Sequence, residues 1–336
     1  MRIAFFEIEN DQLDKVKRLS SEKLQGHDII IESRKLTVDN AHEFRDCDMI
    51  SIFIYSRIDK ELLDRLPNLK MIATCSTGFD HIDLKECASR NITVSNVPLY
   101  GENTVAEHTF ALILSISRNI HKTYMRTSAG HYSRDGLRGF DLKGKTIGVV
   151  GTGNIGLHVI RMARGFGMNV IAFDVKKNNF MAEILGYRYV EFDELLRGSD
   201  IITLHAPLNK YTEHMINLNN VRSIKHGAIL INTARGGLVD PEAILVGLEE
   251  KILSGAGLDV IEGEEFIQED MCVLGSGENF EKFRKIVDEK NLLLREEVVF
   301  TPHNAFNSNE ALFRIFDTAT SNLQSFILGK PENVVK

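Results

Sequence analysis

The chain has 336 residues, of which 43% are hydrophobic and 26% are charged, and its formal net charge at pH 7 is -7. This length corresponds to about two domains and excludes a disulfide-stapled miniprotein, while the composition excludes a disordered or fibrous chain. The acidic balance, with no long block of Lys or Arg, argues against nucleic acid and anionic membranes as general partners.

No apolar stretch reaches the length of about 18 residues that a membrane-spanning helix needs, so we predict no membrane association. The N-terminal apolar run stops at Glu7 without a small-residue cleavage site, which favours a cytoplasmic protein. The four cysteines form no CxxC pair. We interpret them as reduced thiols and predict no metal site.

The first hundred residues alternate short β-rich runs with helical patterns. Such an alternation predicts a parallel sheet with crossover helices. The predicted strands cover residues 2–8, 28–32, 49–55, 69–75 and 92–97. The predicted helices cover residues 11–24 and 60–66, and Pro67 ends the second of them.

A long amphipathic segment, residues 104–125, follows with Asn103 as its predicted N-cap, and we expect one helix that bridges two domains. A second α/β series then has predicted strands at residues 145–151, 169–174, 200–205, 228–233 and 255–260. A last strand at 298–301 leads to a closing helix at 310–328, which has no sheet partner nearby and which we place back on the first domain. Acidic residues in segment 262–297 interrupt this alternation of strands and helices and indicate an insertion or a lid.

A Gly-rich motif, residues 151–156, stands directly after a predicted strand and before a helix that we expect to open at Leu157. This context is typical of a dinucleotide-binding fingerprint. Gly151 permits the tight turn, Gly153 lets the backbone approach a pyrophosphate, and Gly156 lets the helix pack closely on the strand. The phosphates would then lie at the positive N-terminus of the helix.

Asp174 stands at the end of the next predicted strand and completes this fingerprint. Its carboxylate would accept hydrogen bonds from ribose hydroxyls and repel a 2′-phosphate, which favours NAD over NADP. Lys176 and Lys177 follow closely and would soften that repulsion. A Gly-rich turn without a ligand is the alternative interpretation of the motif.

Polar residues follow three further predicted strands, at the edge where open α/β sheets bind ligands. Arg235 comes after an apolar strand and before two glycines; its forked guanidinium suits a carboxylate, and a plain surface charge is the alternative. His303 is either a structural histidine or the proton donor that a carbonyl reduction needs near pH 7. An acid beside it would favour its charged form, and Glu264 is the candidate, with Glu262 and Glu265 as alternatives.

Four runs resemble the D-isomer-specific 2-hydroxyacid dehydrogenase family, in the family's order: residues 141–156, 231–237, 257–260 and 301–303. The resemblance implies an α/β fold of two Rossmann-like, doubly wound parallel-sheet domains with a cleft between them. It implies a flavodoxin-like substrate domain of residues 1–100 plus 300–336, and an inserted NAD-binding Rossmann domain of residues 101–299.

Within that resemblance, the family's catalytic arginine, acid and histidine correspond to Arg235, Glu264 and His303, which selects Glu264 over its two neighbours. The family's turn that binds the substrate carboxylate corresponds to the backbone of Thr77 and Gly78. The cofactor contacts, which include the three glycines of the Gly-rich motif, correspond to Gly151, Gly153, Asn154, Ile155, Gly156, Asp174, Ala206, Pro207, Thr212, Thr233, Ala234 and Asp259.

The segments that contain Tyr100 and Phe306 are most similar to the D-lactate dehydrogenase branch of the family. In that branch, a Tyr and a Phe at these points would close a small apolar pocket around a methyl-sized side chain. The chain departs from the branch at Gly101, where the branch has Ser, and at Asn304, where it has Thr. These departures leave the exact side-chain preference open.

The resemblance therefore implies an NAD-dependent enzyme that reduces a small 2-keto acid, with pyruvate as the expected substrate and D-lactate as the product. It also implies a homodimer through the 104–125 helix and the cofactor domain. A reductase of larger 2-keto acids, such as phenylpyruvate or 2-ketoisocaproate, is the alternative within the family. An NAD-sensing scaffold, similar to the C-terminal binding protein corepressors, is the alternative from a different class.

Overall fold

The structure is a computed structural model that describes residues 1–262 and 291–335. Glu264, Glu265 and most of the predicted insertion at 262–297 lie outside the described residues. The chain forms two compact units, of which the first is Met1–Tyr100 with Asn307–Lys336 and the second is Gly101–Phe306. The assignment of a substrate role and a cofactor role to these units stays a prediction.

The first unit is built on a parallel sheet. Its described elements are β1 (Arg2–Phe5), α1 (Leu13–Lys23), β2 (Asp28–Ile31), β3 (Met49–Ile52), α2 (Lys60–Asp64), β4 (Met71–Thr74), α3 (Leu84–Ser89), β5 (Thr93–Ser95) and, numbered α10 in chain order, Asn309–Ile327. The strand order is β2-β1-β3-β4-β5, and all pairs are parallel. Strands β3 and β4 are buried along their whole length, which accounts for their continuous apolar runs. Each predicted strand of this unit is present with shorter bounds.

The second unit is built on a larger parallel sheet. Its described elements are α4 (Glu102–Ser117), α5 (Ile120–Ser128), β6 (Thr146–Val150), α6 (Asn154–Gly165), β7 (Asn169–Phe173), α7 (Asn179–Leu185), β8 (Arg188–Tyr189), α8 (Phe192–Gly198), β9 (Ile201–Leu204), β10 (Ala228–Asn232), α9 (Pro241–Glu249), β11 (Leu253–Leu258) and β12 (Val298–Phe300). The strand order is β12-β11-β10-β9-β6-β7-β8. The order reverses between β6 and β9, so the carboxyl ends of these two strands form the topological switch point at which such sheets bind ligands.

Helices cover both faces of the seven-stranded sheet, and each face has its own apolar core. Phe110 of α4 and Val159 of α6 belong to one core. Leu195 of α8 and Ile244 of α9 belong to the other. The predicted fold class, two parallel-sheet α/β domains, is confirmed, whereas the predicted cleft between them stays a prediction.

The predicted single helix at 104–125 is wrong, because the segment forms the two helices α4 and α5. Asn119 separates them in the left-handed conformation, with φ of 50°. Asparagine tolerates this conformation, and the apolar pattern that continues across it hides the break. The predicted cap is also wrong, since Gly101 is the N-cap, and Asn103 lies inside the first turn with its amide 2.5 Å from Glu107 Oε1.

Among residues 1–262 and 291–335, no helix is long and apolar enough to cross a membrane. No group of three His, Cys, Asp or Glu side chains in these same ranges is placed to hold a metal ion. Three of the cysteines, Cys47, Cys75 and Cys87, are buried free thiols. Burial raises the pKa of the Cys75 thiol to about 12, so this residue is an inert core side chain at neutral pH.

Candidate active site

The Gly-rich turn after β6 needs glycine at two of its positions for steric reasons. Gly151 has φ of 94°, and a Cβ there would lie 2.6 Å from the carbonyl oxygen of His205. A Cβ at Gly156 would collide with the carbonyl oxygen of Gly151. Helix α6 begins at Asn154, not at Leu157 as predicted, because Gly153 is its N-cap and the Leu157 amide already donates to the Gly153 carbonyl.

Gly153 has a different reason to be glycine. A Cβ at this position would meet no atom of the described residues within 4 Å, so packing does not require glycine here. The position lies at the N-terminus of α6, where backbone N–H groups lack partners within the helix and the helix dipole is positive. Open space beside these donors is what a pyrophosphate group needs, and the residues present therefore fit a bound dinucleotide.

Asp174, directly after β7, contacts this turn. Its Oδ2 accepts hydrogen bonds from the Thr152 amide at 2.6 Å and the Thr152 hydroxyl at 3.0 Å, and its Oδ1 accepts one from the Lys176 amide at 2.8 Å. Burial raises the pKa of Asp174, but these hydrogen bonds outweigh it and lower the pKa below its usual range. A carboxylate is thus held ionised beside the Gly-rich turn. The sequence did not indicate the role of Thr152, or of Tyr189, whose hydroxyl lies 2.8 Å from the Thr152 hydroxyl.

His205 and its neighbours follow β9 on the other side of the switch point. The His205 amide donates to the Val150 carbonyl at 2.7 Å, and the Nε2 atom lies 2.9 Å from the Thr203 hydroxyl. The Thr212 hydroxyl donates to the Pro207 carbonyl at 2.6 Å and fixes the loop that contains the predicted contacts Ala206 and Pro207. Burial lowers the pKa of His205 to about 3, so the ring is neutral.

This neutral, half-buried ring makes the folded state sensitive to acid. Below a pH of about 6.5 the unfolded chain binds a proton at His205 that the folded protein does not. The free energy of unfolding therefore decreases as the pH is lowered. We expect His205→Gln to reduce the loss of unfolding free energy between pH 7 and pH 5 by about 2 kcal/mol. Urea unfolding at the two pH values measures this loss, with the exposed His226→Gln as control. An unchanged pH dependence in His205→Gln would contradict the assignment.

Arg235 follows β10 in a loop whose backbone is fixed on both sides. The buried Asn232 side chain donates to the Arg235 carbonyl at 2.8 Å and accepts from the Ala234 amide at 3.1 Å. A Cβ at Gly236 would collide with the backbone of Ile261, so the chain passes closely there. Arg235 is half-buried, and its Nη1 donates to the Ala234 carbonyl at 2.8 Å. Sequence reasoning included Asn232 among the polar residues at the end of an apolar strand but gave it no role.

His303 lies in a turn directly after β12, and Asp259 holds this turn together. The His303 amide donates to the Asp259 carbonyl at 2.8 Å. The Asp259 carboxylate accepts from the amides of Asn304 and Ala305, each at 2.8 Å, and from the Thr301 hydroxyl at 2.5 Å. His303 itself has φ of 49°, an uncommon conformation for a residue other than glycine. Asp259, predicted as a cofactor contact, thus also organises the turn that presents His303.

Asp259 is ionised despite its burial. Its side chain is 1% exposed. Burial raises the pKa of its carboxyl, but hydrogen bonds from His108, Thr301 and the two backbone amides outweigh this effect and lower the pKa below its usual range. Sequence reasoning placed His108 inside a helix and gave it no role. The half-buried ring of Phe306 lies at the end of the same turn, 6.5 Å from the His303 ring.

One of the alternative acids has a partner of its own. The carboxylate of Glu262 lies 2.5 Å from Nε2 of His214, as an ion pair when the histidine is charged. His214 has φ of 46°, and its amide donates to the Gly237 carbonyl at 2.8 Å, in the loop after Arg235. Glu262 is therefore engaged by His214, while Glu264 and Glu265 lie outside the described residues.

The turn predicted to bind a carboxylate, Ser76 to Gly78, lies in the first unit after β4. The Ser76 hydroxyl donates to the Gly78 carbonyl at 2.6 Å, and the Asn96 side chain donates to the Thr77 carbonyl at 2.8 Å. In the part of the chain that the structure describes, no hydrogen bond from the amide of Thr77 or of Gly78 is found. The half-buried Tyr100 is the last residue of the first segment of this unit, whereas Arg235, His303 and Phe306 lie in the second unit.

Comparison with known proteins places this geometry in a family. Residues 110–305 match the model of the D-isomer specific 2-hydroxyacid dehydrogenase, NAD binding domain. The chain belongs to the D-isomer specific 2-hydroxyacid dehydrogenase family. It is therefore an oxidoreductase that uses NAD, as the resemblance implied.

Relatives of the chain act on different keto acids according to their names. A glyoxylate reductase of Thermococcus litoralis is 35% identical over 87% of this chain and 84% of its own. An aromatic 2-oxoacid reductase of Clostridium sporogenes is 33% identical over 98% of this chain and 97% of its own. The structure of the D-lactate dehydrogenase of Aquifex aeolicus, complexed with NAD and lactic acid, is 34% identical, with a TM-score of 0.85, and covers 98% of this chain and 96% of its own.

The position of Asp174 predicts which of the two nicotinamide cofactors, NADH or NADPH, is preferred. Because its ionised carboxylate lies at the Gly-rich turn, we expect NADH to be preferred over NADPH in kcat/KM by at least about tenfold. We expect Asp174→Ala to lower the ratio of kcat/KM for NADH to kcat/KM for NADPH, since the negative charge is lost while Lys176 and Lys177 remain. Glu191→Ala, which removes an exposed carboxylate that pairs with Lys177 at 3.4 Å, is the control. Equal kcat/KM for the two cofactors in the unmodified protein would contradict this prediction.

Proposed function

We propose that this family member reduces a small 2-keto acid, with pyruvate preferred, to the D-2-hydroxy acid. The observation that carries the proposal is the turn around His303, in which His303 has a left-handed backbone, a buried, ionised Asp259 accepts the hydrogen bonds of the neighbouring amides, and Phe306 lies close by. A histidine held in this way suits proton transfer, and an aromatic ring next to it suits one wall of a small apolar pocket.

In the proposed reaction, NADH held at the Gly-rich turn and the N-terminus of α6 would supply the hydride for the keto carbon. His303 donates a proton to the oxygen of the same carbonyl group, so that the alkoxide forms as an alcohol. Arg235 binds the substrate carboxylate with its guanidinium and polarises the carbonyl, and the amides of Thr77 and Gly78 bind the carboxylate as well. Glu264 would favour the charged form of His303. In the oxidative direction, neutral His303 accepts the proton that the hydroxy acid loses.

Pyruvate is proposed because Tyr100 and Phe306 match the branch of the family with a small substrate pocket. The alternative, a larger 2-keto acid, is supported by the similarity to the aromatic 2-oxoacid reductase. A panel of glyoxylate, pyruvate, 2-ketoisocaproate and phenylpyruvate, assayed with NADH, distinguishes these alternatives. We expect the highest kcat/KM for pyruvate, and a higher value for phenylpyruvate or 2-ketoisocaproate would favour the alternative.

The NAD-sensing scaffold is not supported, because the relatives matched are dehydrogenases and reductases by name.

The homodimer through the segment 104–125 stays a prediction, as does the cytoplasmic location. Exposed apolar side chains on α5 support the dimer, since Tyr124 and Met125 are 72% and 70% exposed. Apolar side chains in such positions are common in subunit interfaces.

A further inference from the structure

Helix α4 contacts both of the loops that carry the proposed catalytic side chains of the second unit. The Thr109 hydroxyl donates to the Val105 carbonyl at 2.9 Å and lies 3.0 Å from the Thr233 hydroxyl, two residues before Arg235. The neighbouring residue, His108, lies with its Nε2 2.9 Å from the Thr301 hydroxyl, two residues before His303. Two adjacent positions of one helix therefore support the two loops.

The direction of the hydrogen bonds around His108 follows from the number of protons available. The Thr301 hydroxyl has one proton and donates it to Oδ1 of Asp259 at 2.5 Å. It must therefore accept from His108, so Nε2 of His108 carries a proton. The same N–H group lies 3.4 Å from Oδ1 of Asp259, and it is thus directed at both members of the pair. Through these contacts His108 is tied to the residue that fixes the His303 turn.

We propose that His108 is a positioning residue for His303, acting through Thr301 and Asp259 to hold the 301–305 turn in the conformation that presents the imidazole. The inference rests on the proposed function, because it assigns a role within that reaction. His108 is not a catalytic residue in this proposal, since its contacts are with the turn.

A physical reason for such a support lies in the backbone of the turn. A non-glycine residue with positive φ is strained, and it keeps this conformation only when its surroundings over-determine it. Here the determinants are the hydrogen bonds from His303, Asn304 and Ala305 to Asp259, and the hydroxyl of Thr301 between Asp259 and His108. Without the N–H group of His108, the Thr301 hydroxyl and the Asp259 carboxylate each lose a donor. The turn then relaxes, and misplacement of a reacting group by about 1 Å costs up to a hundredfold in rate.

The test uses two substitutions that differ in whether they restore the N–H group. His108→Leu removes it and keeps an apolar side chain of similar volume, whereas His108→Gln returns an amide N–H at about the distance of Nε2. We expect His108→Leu to lower kcat for pyruvate reduction about tenfold to a hundredfold with little change in KM for NADH, and His108→Gln to restore most of kcat. His226→Gln, at an exposed histidine of the same unit, is the control and should retain kcat.

Two kinetic outcomes would overturn the proposal. The first is a kcat in His108→Leu equal to that of the unmodified protein. The second is an equal loss of kcat in His108→Leu and His108→Gln that is proportional to their loss of thermal stability. Amide hydrogen exchange of the peptide that contains residues 301–305 gives a second readout that needs no turnover. We expect faster exchange in His108→Leu and unchanged exchange in His108→Gln, and equal exchange in all proteins would also overturn the proposal. If the unmodified protein reduces none of the keto acids, the proposed function fails, while the exchange experiment still decides whether His108 holds the turn.

Discussion

Replacing His303 by alanine is expected to lower kcat for keto acid reduction by about 10² to 10⁴, because the forming alkoxide loses its proton donor. The fold should be retained, since the carboxylate and carbonyl of Asp259 accept hydrogen bonds from the backbone of the turn, and these bonds do not depend on the side chain at position 303. Binding of NADH, measured by fluorescence titration, should change little. His226→Ala, at an exposed histidine of the same unit, is the control. A kcat close to that of the unmodified protein would remove His303 from the reaction.

The same assignment predicts how the reaction depends on pH. Reduction needs the charged imidazole, so kcat/KM for pyruvate should fall as the pH rises. In the proposed assignment Glu264 is the acid that favours the charged form of His303, so Glu264→Gln should move this fall to lower pH. Oxidation of D-lactate needs the neutral imidazole and should remain active at lower pH in this variant. A reduction profile that is unchanged in Glu264→Gln would mean that another acid supports the histidine.

Replacing Arg235 by lysine is expected to lower kcat/KM by about 100-fold or more, roughly 3 kcal/mol, although the charge is kept. The planar guanidinium can bind a carboxylate with two parallel hydrogen bonds, which an ammonium group cannot. In the structure, Nη1 of Arg235 also donates to the Ala234 carbonyl at 2.8 Å, which orients the group within a loop that Asn232 holds. A lysine would lose this orientation as well, so both kcat and KM should change.

The control for this substitution is Arg222→Lys. Arg222 is exposed and pairs with Glu250 at 2.6 Å, and both residues lie in the same unit as Arg235. We expect this variant to keep its kcat/KM, because an exposed ion pair contributes little. If Arg235→Lys also keeps a near-normal kcat/KM, Arg235 does not bind the substrate, and the plain surface charge that the sequence left open is the better interpretation.

Much of the fold could be predicted because local signals agree with the tertiary structure. The predicted strands of both sheets are present, since continuous apolar runs are typical of strands buried on both faces. The short strand Arg188–Tyr189 was missed, because two residues are too few for a periodic pattern. The break at Asn119 was missed because the apolar period continues into the next helix while one residue turns left-handed.

The candidate site was predictable where the chemistry follows from the neighbouring sequence. The glycines of the turn and Asp174 stand at fixed distances in one strand-turn-helix unit, so their spacing was informative. Arg235 could not be distinguished from a surface charge without the family resemblance, because its environment depends on Asn232 and on the close passage of Ile261. The contact of His108 with Thr301 joins residues 193 positions apart along the chain, and no local pattern indicates it.

Direct hydride transfer to a 2-keto acid with D stereochemistry leaves a label in the product that one experiment detects. The protein is incubated with pyruvate and with NADH that carries deuterium in the transferred position of the nicotinamide. The product is separated by chiral chromatography, and its mass is determined by mass spectrometry. We expect D-lactate with one deuterium at C2. L-lactate, D-lactate without deuterium at C2, or no turnover of any keto acid in the panel would contradict it.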